Sequence, residues 1–194
     1  SVKYYKSFLQ IGMMVVELAT GLLMGTVVAW ILEAVTFGGQ LMDTQMGFSF
    51  AQFLDPSSAR TVSISGSLML QLATLFILVS GLHHLMIRAL VESFRILPMG
   101  APLPLHPREL VILSGQLFYR GVQLAFPVML ALLCIDVLEG ISARFMPQLQ
   151  IMQISFPIKI VVGLLVLGVL VRELGPWIQP LLEDAAREAL RLLG

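Results

Sequence analysis

The segment QMGFSFAQFLDPSSARTVSISG, residues 45–66, separates two long apolar stretches and resembles neither of them. It alternates glycine, serine and phenylalanine, breaks at Asp55-Pro56 and continues into small polar residues. It is too apolar for a solvated loop and too irregular for a membrane span. Irregular backbone at membrane depth is tolerated only where protein or a water-filled cavity surrounds it. The composition therefore favours a pore obstruction or a re-entrant lining, and an ordinary packed connector agrees with it equally well.

The rest of the composition indicates a membrane environment. Hydrophobic residues make up 57% of the 194 residues and charged residues 12%, with a mean hydropathy of +0.89. Soluble domains carry roughly 25% charged residues, and this length holds four or five spanning helices of about 20 residues each. The 12 basic and 12 acidic residues cancel, so the sequence offers no basic surface for nucleic acid. Cys134 is the single cysteine, which excludes an internal disulfide and a multi-cysteine metal site.

Four apolar stretches predict an all-α, membrane-associated fold of long helices. They are residues 8–35, 61–87, 111–138 and 156–171. The second of them has 27 residues without a formal charge, and we expect it alone to pass a plain hydropathy test. Four prolines between Pro98 and Pro107 forbid a helix there and predict an extended connector before the third stretch.

The C-terminal residues 172–194 predict an amphipathic helix. Its apolar residues recur at spacings of three and four, and its charged residues fall on the opposite face. The apolar set is Leu174, Trp177, Ile178, Leu181, Leu182, Ala185, Ala189, Leu190 and Leu193. Such a helix lies on a membrane surface or packs against a partner.

Six charged residues interrupt the otherwise apolar stretches: Glu17, Glu33, Arg120, Asp136, Glu139 and Lys159. A charge that faces lipid at mid-bilayer costs several kcal/mol, so we expect these side chains to face protein or water. Asp136 and Glu139 stand one helical turn apart and could form the proton relay of a transporter. The favoured interpretation is that they pair with Arg120, Arg144 or a neighbouring subunit.

One fragment suggests an enzyme. Residues 47–51, GFSFA, fall one residue short of the G-x-S-x-G nucleophile elbow, and Ser49 with His83 or His84 could outline an intramembrane serine protease. The elbow requires a turn from strand to helix, and the sequence predicts no strand. Adjacent histidines on a helix point about 100° apart and cannot share one metal ion. The residues therefore favour a protein without catalytic, metal or cofactor chemistry, and none of them resembles a nucleotide-binding loop.

Three blocks in order resemble the FliR/SctT family of the type III secretion export apparatus, which has flagellar and injectisome branches. The blocks are QMGFSFAQFLDPSS, HHLMIRALVESFRILPMG and ARFMPQLQIMQISFPIKIVVG, and the resemblance continues to about Val171. The sequence GFSFAQFLDPSS in the first block favours the flagellar branch. Members of the family normally begin with further apolar helices, so the resemblance implies that an N-terminal part is missing before Ser1.

The resemblance implies a non-enzymatic subunit of a protein export gate in the bacterial inner membrane, at the flagellar basal body. Residues 1–194 would form one domain of long helical hairpins, without a cofactor. In the family, one such chain joins several FliP and FliQ chains, FlhB associates with them, and unfolded export substrates pass through the centre. This arrangement agrees with charges that interrupt apolar helices, because most helix surface would then face other subunits.

A loop of the family's FliR-like subunit helps to plug the closed pore, and residues 45–66 are the matching segment here. The positions carried over are Met46, Gly47, Phe48, Ser49, Phe50, Phe53, Asp55 and Pro56. The resemblance implies that Met46 and the phenylalanines form the seal. Gly47 and the Asp55-Pro56 break would set the shape of the loop.

Overall fold

Five helices make up nearly all of the part of the chain that the structure describes. The computed structural model describes residues 2–48, 63–98, 101, 107–145 and 151–192, with side chains from residue 11 onward except at 143, 145 and 151–154. The helices are α1 (Val2–Met46), α2 (Ile64–Val79), α3 (His83–Ile96), α4 (Pro107–Phe145) and α5 (Ile151–Arg191). No strand occurs within these ranges, so the all-α prediction is confirmed.

Three of these helices are long and apolar enough to cross a membrane: residues Ile11–Met46 of α1, Pro107–Ser142 of α4 and Ser155–Arg191 of α5. The expectation that residues 61–87 alone pass a hydropathy test is wrong. That stretch divides into α2 and α3, which pass only together and are bent by 73° between them. Gly81 adopts φ +71° at the break, a left-handed conformation that glycine reaches without steric cost.

The helices contribute to two compact units. The first unit consists of Ser1–Ile31, Phe76–Leu117 and Trp177–Gly194, and the second of Leu32–Leu75 and Phe118–Pro176. In the first unit, the end of α5 buries its apolar face within the chain itself. Ile178, Leu182, Ala185 and Ala189 are almost fully buried, and the last three line a small cavity with side chains of α1 and α3.

The predicted amphipathic segment, residues 172–194, is therefore the continuation of α5 and not a separate helix over its described part. Its charged face carries ion pairs between neighbouring turns. Arg187 lies 3.5 Å from Glu183, and Arg191 lies 3.2 Å from Glu188. This chain's own α1 and α3 thus cover at least part of the apolar face that the sequence assigned to a surface or a partner.

In the second unit, glycines let α1 approach α4 at backbone distance. A Cβ added at Gly121 would lie 2.5 Å from the carbonyl oxygen of Ala34, and one added at Gly38 would lie 2.8 Å from that of Gly121. Real Cβ atoms do not come that close, so a side chain at either position would push the helices apart. Beside these glycines, the rings of Phe37 and Phe118 meet edge to face with centroids 5.1 Å apart.

Gly21 and Gly25 of α1 form a G-x-x-x-G step, a pattern typical of close helix contacts in membranes, but this step does not take part in the packing described above. No described atom outside the local backbone of α1 lies within 4 Å of a Cβ added at Gly21 or Gly25. Close helix packing in this chain therefore occurs further along α1, at Gly38 and Gly39. Small residues at a helix contact let backbones approach each other, which is how membrane helices gain packing without a hydrophobic driving force between them.

Candidate functional site

The predicted plug begins inside the described structure and continues outside it. Met46, Gly47 and Phe48 are described, whereas Ser49, Phe50, Phe53, Asp55 and Pro56 lie outside the described residues. The structure therefore describes the two ends of the segment, which lie at the last turn of α1 and the first turn of α2. Both ends belong to the second unit.

The N-terminal end of the segment is seated on α5. Met46, the last residue of α1, is 0% exposed, and its Sδ, Cγ and Cε would all lie 2.7–2.9 Å from a Cβ added at Gly163. The absence of a side chain at Gly163 thus makes the space that Met46 fills. Methionine suits such an irregular gap because its side chain is unbranched and flexible.

Gly47 turns the chain away from the helix axis immediately afterwards. Its φ of +85° lies in the left-handed region, where a residue with a side chain is strained. A Cβ at this position would also lie 2.6 Å from two ring carbons of Phe156 on α5. Two independent constraints therefore require glycine here, in keeping with the role in shaping the loop that the resemblance implies. The next residue, Phe48, is half-buried.

The C-terminal end of the segment is tied to α1 by a buried carboxylate. Asp43, which is 5% exposed, accepts a 2.6 Å hydrogen bond from the Ser63 hydroxyl. Its two carboxylate oxygens also accept the backbone N–H of Ser65, at 3.1 and 3.2 Å. The Ser63 hydroxyl oxygen in turn accepts the N–H of Gly66 at 2.8 Å.

Asp43, Ser63 and Ser65 were not among the residues predicted from the sequence. A serine directly before an apolar run is a known helix-start signal, so Ser63 could have been identified as the residue that caps α2. Asp43 gives no such signal, because it lies 20 residues before Ser63 and within a different helix.

Three of the six predicted intramembrane charges form one cluster between α4 and α5. Lys159 pairs with Asp136 and lies 3.7 Å from Glu139, whose Oε2 also accepts a 2.6 Å hydrogen bond from the Ser155 hydroxyl. Asp136 and Glu139 were expected to pair with an arginine or another subunit, but the cation is Lys159. The side chain of Lys159 reaches both acids from the facing helix, whereas Arg120 lies 3.4 Å from Gln123 on its own helix.

The other three predicted charges, Glu17, Glu33 and Arg120, are exposed in this chain. Glu17 borders a shallow cavity of the first unit together with Thr20, Leu90 and Phe94. Charges on the outside of helices that can span a membrane are costly unless another protein or water covers them. Their exposure supports the interpretation that these helix surfaces meet other subunits.

The histidine pair lies at the start of α3, where their rings contact each other with centroids 4.1 Å apart. His84 Nδ1 is 3.1 Å from the carbonyl oxygen of Gly81. Ser49, the serine of the protease alternative, lies outside the described residues, so no distance joins it to either histidine. Among the side chains that the structure describes, no group of three or more histidine, cysteine or acidic residues could hold a metal ion.

Comparison with known proteins gives consistent matches over most of the chain. The family model described as bacterial export proteins, family 1, matches residues 3–185. The chain is 32% identical over 190 residues to the flagellar biosynthetic protein FliR of Escherichia coli (strain K12), which covers 96% of this chain and 71% of that relative. It is also 32% identical over 183 residues to the FliR of Pectobacterium carotovorum subsp. carotovorum, covering 93% and 69%.

A more distant relative agrees. The chain is 30% identical over 156 residues to the FliR of Bacillus subtilis (strain 168), covering 78% of this chain and 60% of the relative. Across these three relatives the matched region therefore spans between 60% and 71% of their length.

Proposed function

This chain belongs to the bacterial export proteins, family 1, in which the flagellar biosynthetic protein FliR is found, and on that premise we propose that it is a gating subunit of a flagellar protein export channel. Its membership of the flagellar export apparatus follows from the family, and its three apolar helices place it in a membrane. The prediction that it is not an enzyme is confirmed by the same family membership. The inner membrane and the flagellar basal body are the locations we propose.

The gating proposal is supported by one observation: both ends of the segment at residues 45–66 are held against neighbouring helices. Met46 and Gly47 seat its first residues against α5, and Asp43 holds the start of α2 beside the end of α1. A phenylalanine-rich segment with both ends fixed can occlude a channel without leaving its place. Because Met46 is fully buried in this chain, we assign it to anchoring the plug, and Phe48, Phe50 and Phe53 to the seal.

The same proposal includes the partners. FliP and FliQ chains would surround this subunit, FlhB would associate with them, and unfolded export substrates would pass through the channel. The exposed charges Glu17, Glu33 and Arg120 support contacts with other subunits, because a lipid-facing charge within a spanning helix is costly. The large exposed apolar surface of α4, from Val111 to Ile141, is suited to either lipid or neighbouring helices.

The test is the ion conductance of the assembled gate in planar bilayers. Replacing Phe48, Phe50 and Phe53 together with alanine should leave assembly intact and make the closed gate conduct small ions, because the substitutions remove the three aromatic rings assigned to the seal. Phe94→Ala is the control, since Phe94 lies on α3, outside the segment. Conductance of the triple variant equal to that of the control would refute the plug.

A further inference from the structure

We propose that Asp43 is a positioning residue for the plug: its carboxylate completes the first turn of α2 and thereby fixes the C-terminal end of the segment beside its N-terminal end. This inference rests on the proposed function of residues 45–66 and adds to it a residue that lies before the segment.

The first turn of a helix has N–H groups without partners inside the helix. In α2, Ser63 accepts the N–H of Gly66, which is the usual action of a serine at the N-cap. The N–H of Ser65 is satisfied by Asp43, which also accepts the hydroxyl proton of Ser63. The start of α2 is thus capped by two side chains, and one of them belongs to α1.

The burial of Asp43 makes these bonds important. Its side chain is 5% exposed, and no ion pair between described residues includes it, so backbone and hydroxyl donors together with the positive end of the α2 dipole compensate its charge. Hydrogen bonds to an ionised acceptor are roughly twice as strong as neutral ones. The carboxylate and the start of α2 therefore hold each other in place.

Contacts of α1 on either side of Asp43 also hold the two ends of the segment at residues 45–66. One turn before Asp43, a Cβ added at Gly39 would collide with the Cα and N of Gly66, so the two backbones are in contact there. Three residues after Asp43, Met46 fills the space at Gly163 of α5. The last two turns of α1 thus bind α2 through Gly39 and Asp43, and α5 through Met46.

The experiment compares Asp43→Ala with Ser65→Ala in the assembled gate. Ser65 is 2% exposed and its hydroxyl has no hydrogen-bond partner among the described residues, so Ser65→Ala removes a buried polar group without removing a bond that the structure describes. Amide hydrogen exchange followed by mass spectrometry should show the first turn of α2 exchanging about 10- to 100-fold faster in Asp43→Ala, which is the loss expected for a hydrogen bond to a charged group. Ser65→Ala should exchange like the unsubstituted gate.

Closed-state conductance separates positioning from a purely structural role. Asp43→Ala should assemble normally and leak small ions, Ser63→Ala should leak less, and Ser63→Thr, which keeps the hydroxyl, should restore the seal. If Asp43→Ala does not assemble, the comparison of Ser63→Ala with Ser63→Thr decides the inference. Equal exchange and conductance within that pair would then overturn it.

The variant with alanine at Phe48, Phe50 and Phe53 distinguishes a failure of the plug from a failure of the role of Asp43. If that variant leaks while Asp43→Ala conducts like the unsubstituted gate, the role of Asp43 is refuted and the plug stands. If neither variant leaks, the plug is refuted and the role of Asp43 with it. A leak in Asp43→Ala with unchanged exchange at the start of α2 would also overturn the inference, because the leak would then not come from the cap.

Discussion

Replacing Lys159 with methionine should destabilise the packing of α4 against α5. The substitution keeps the length of the side chain and removes the single cation that lies between Asp136 and Glu139. Breaking a buried ion pair costs about 3–5 kcal/mol because a charge is left without compensation. Exposed pairs contribute about 0–1 kcal/mol.

The exposure of the three side chains decides between these limits. Lys159 is 17% exposed, Glu139 22% and Asp136 37%, so this chain encloses the cluster only in part. We therefore expect a loss of about 1–3 kcal/mol, between the exposed and the buried limits. For domains of 150–250 residues this loss lowers the thermal midpoint by about 2–12 °C.

Thermal unfolding of the detergent-purified protein measures the effect. Arg187→Met is the matched control, since it breaks an ion pair whose arginine is 71% exposed, and its midpoint should fall by no more than about 4 °C. Replacing Lys159, Asp136 and Glu139 together with apolar residues should recover most of the stability, because no uncompensated charge remains. An equal fall in Lys159→Met and Arg187→Met, or no recovery in the triple variant, would show that Lys159 does not compensate the two acids between α4 and α5.

Two further predictions concern the N-terminal end of the segment at residues 45–66 and the serine protease interpretation. Gly163→Val should lower the stability of the purified protein by about 1–3 kcal/mol more than Gly168→Val. Met46 occupies the space at Gly163, whereas no described side chain lies within 4 Å of a Cβ added at Gly168. Equal thermal midpoints would contradict this packing. Ser49→Ala should leave flagellar export, measured as swimming motility, close to that of the parent strain, whereas a loss comparable to that of a strain lacking the protein would revive the serine protease.

The all-α fold could be predicted from the sequence because long apolar stretches leave few alternatives in a membrane. The division of residues 61–87 into α2 and α3 could not be predicted from hydropathy. The stretch carries no charge, and a single glycine, Gly81, allows the break. The Ser80-Gly81 dipeptide is a local turn signal, but it is weaker than the apolar pattern around it.

The site could be predicted only in part, because contacts between helices depend on their register. Gly47 was assigned to the shape of the loop, and its left-handed φ supports that role. The partner of Asp136 and Glu139 was expected to be Arg120, Arg144 or a neighbouring subunit, although Lys159 of the facing helix pairs with them. Asp43 gave no signal at all, since its donors lie 20 and 22 residues away and only the folded chain brings them together.

Membership in an export assembly is tested most directly by the native mass of this chain after co-expression with FliP and FliQ and purification in detergent. We expect the chain to be held in a larger assembly that contains both partners, because its spanning helices carry exposed charges that are costly where they face lipid. Arg120→Leu is a useful companion variant, since removing one of those exposed charges should weaken the assembly. A monomer or a homo-oligomer that ignores both partners would contradict the central claim.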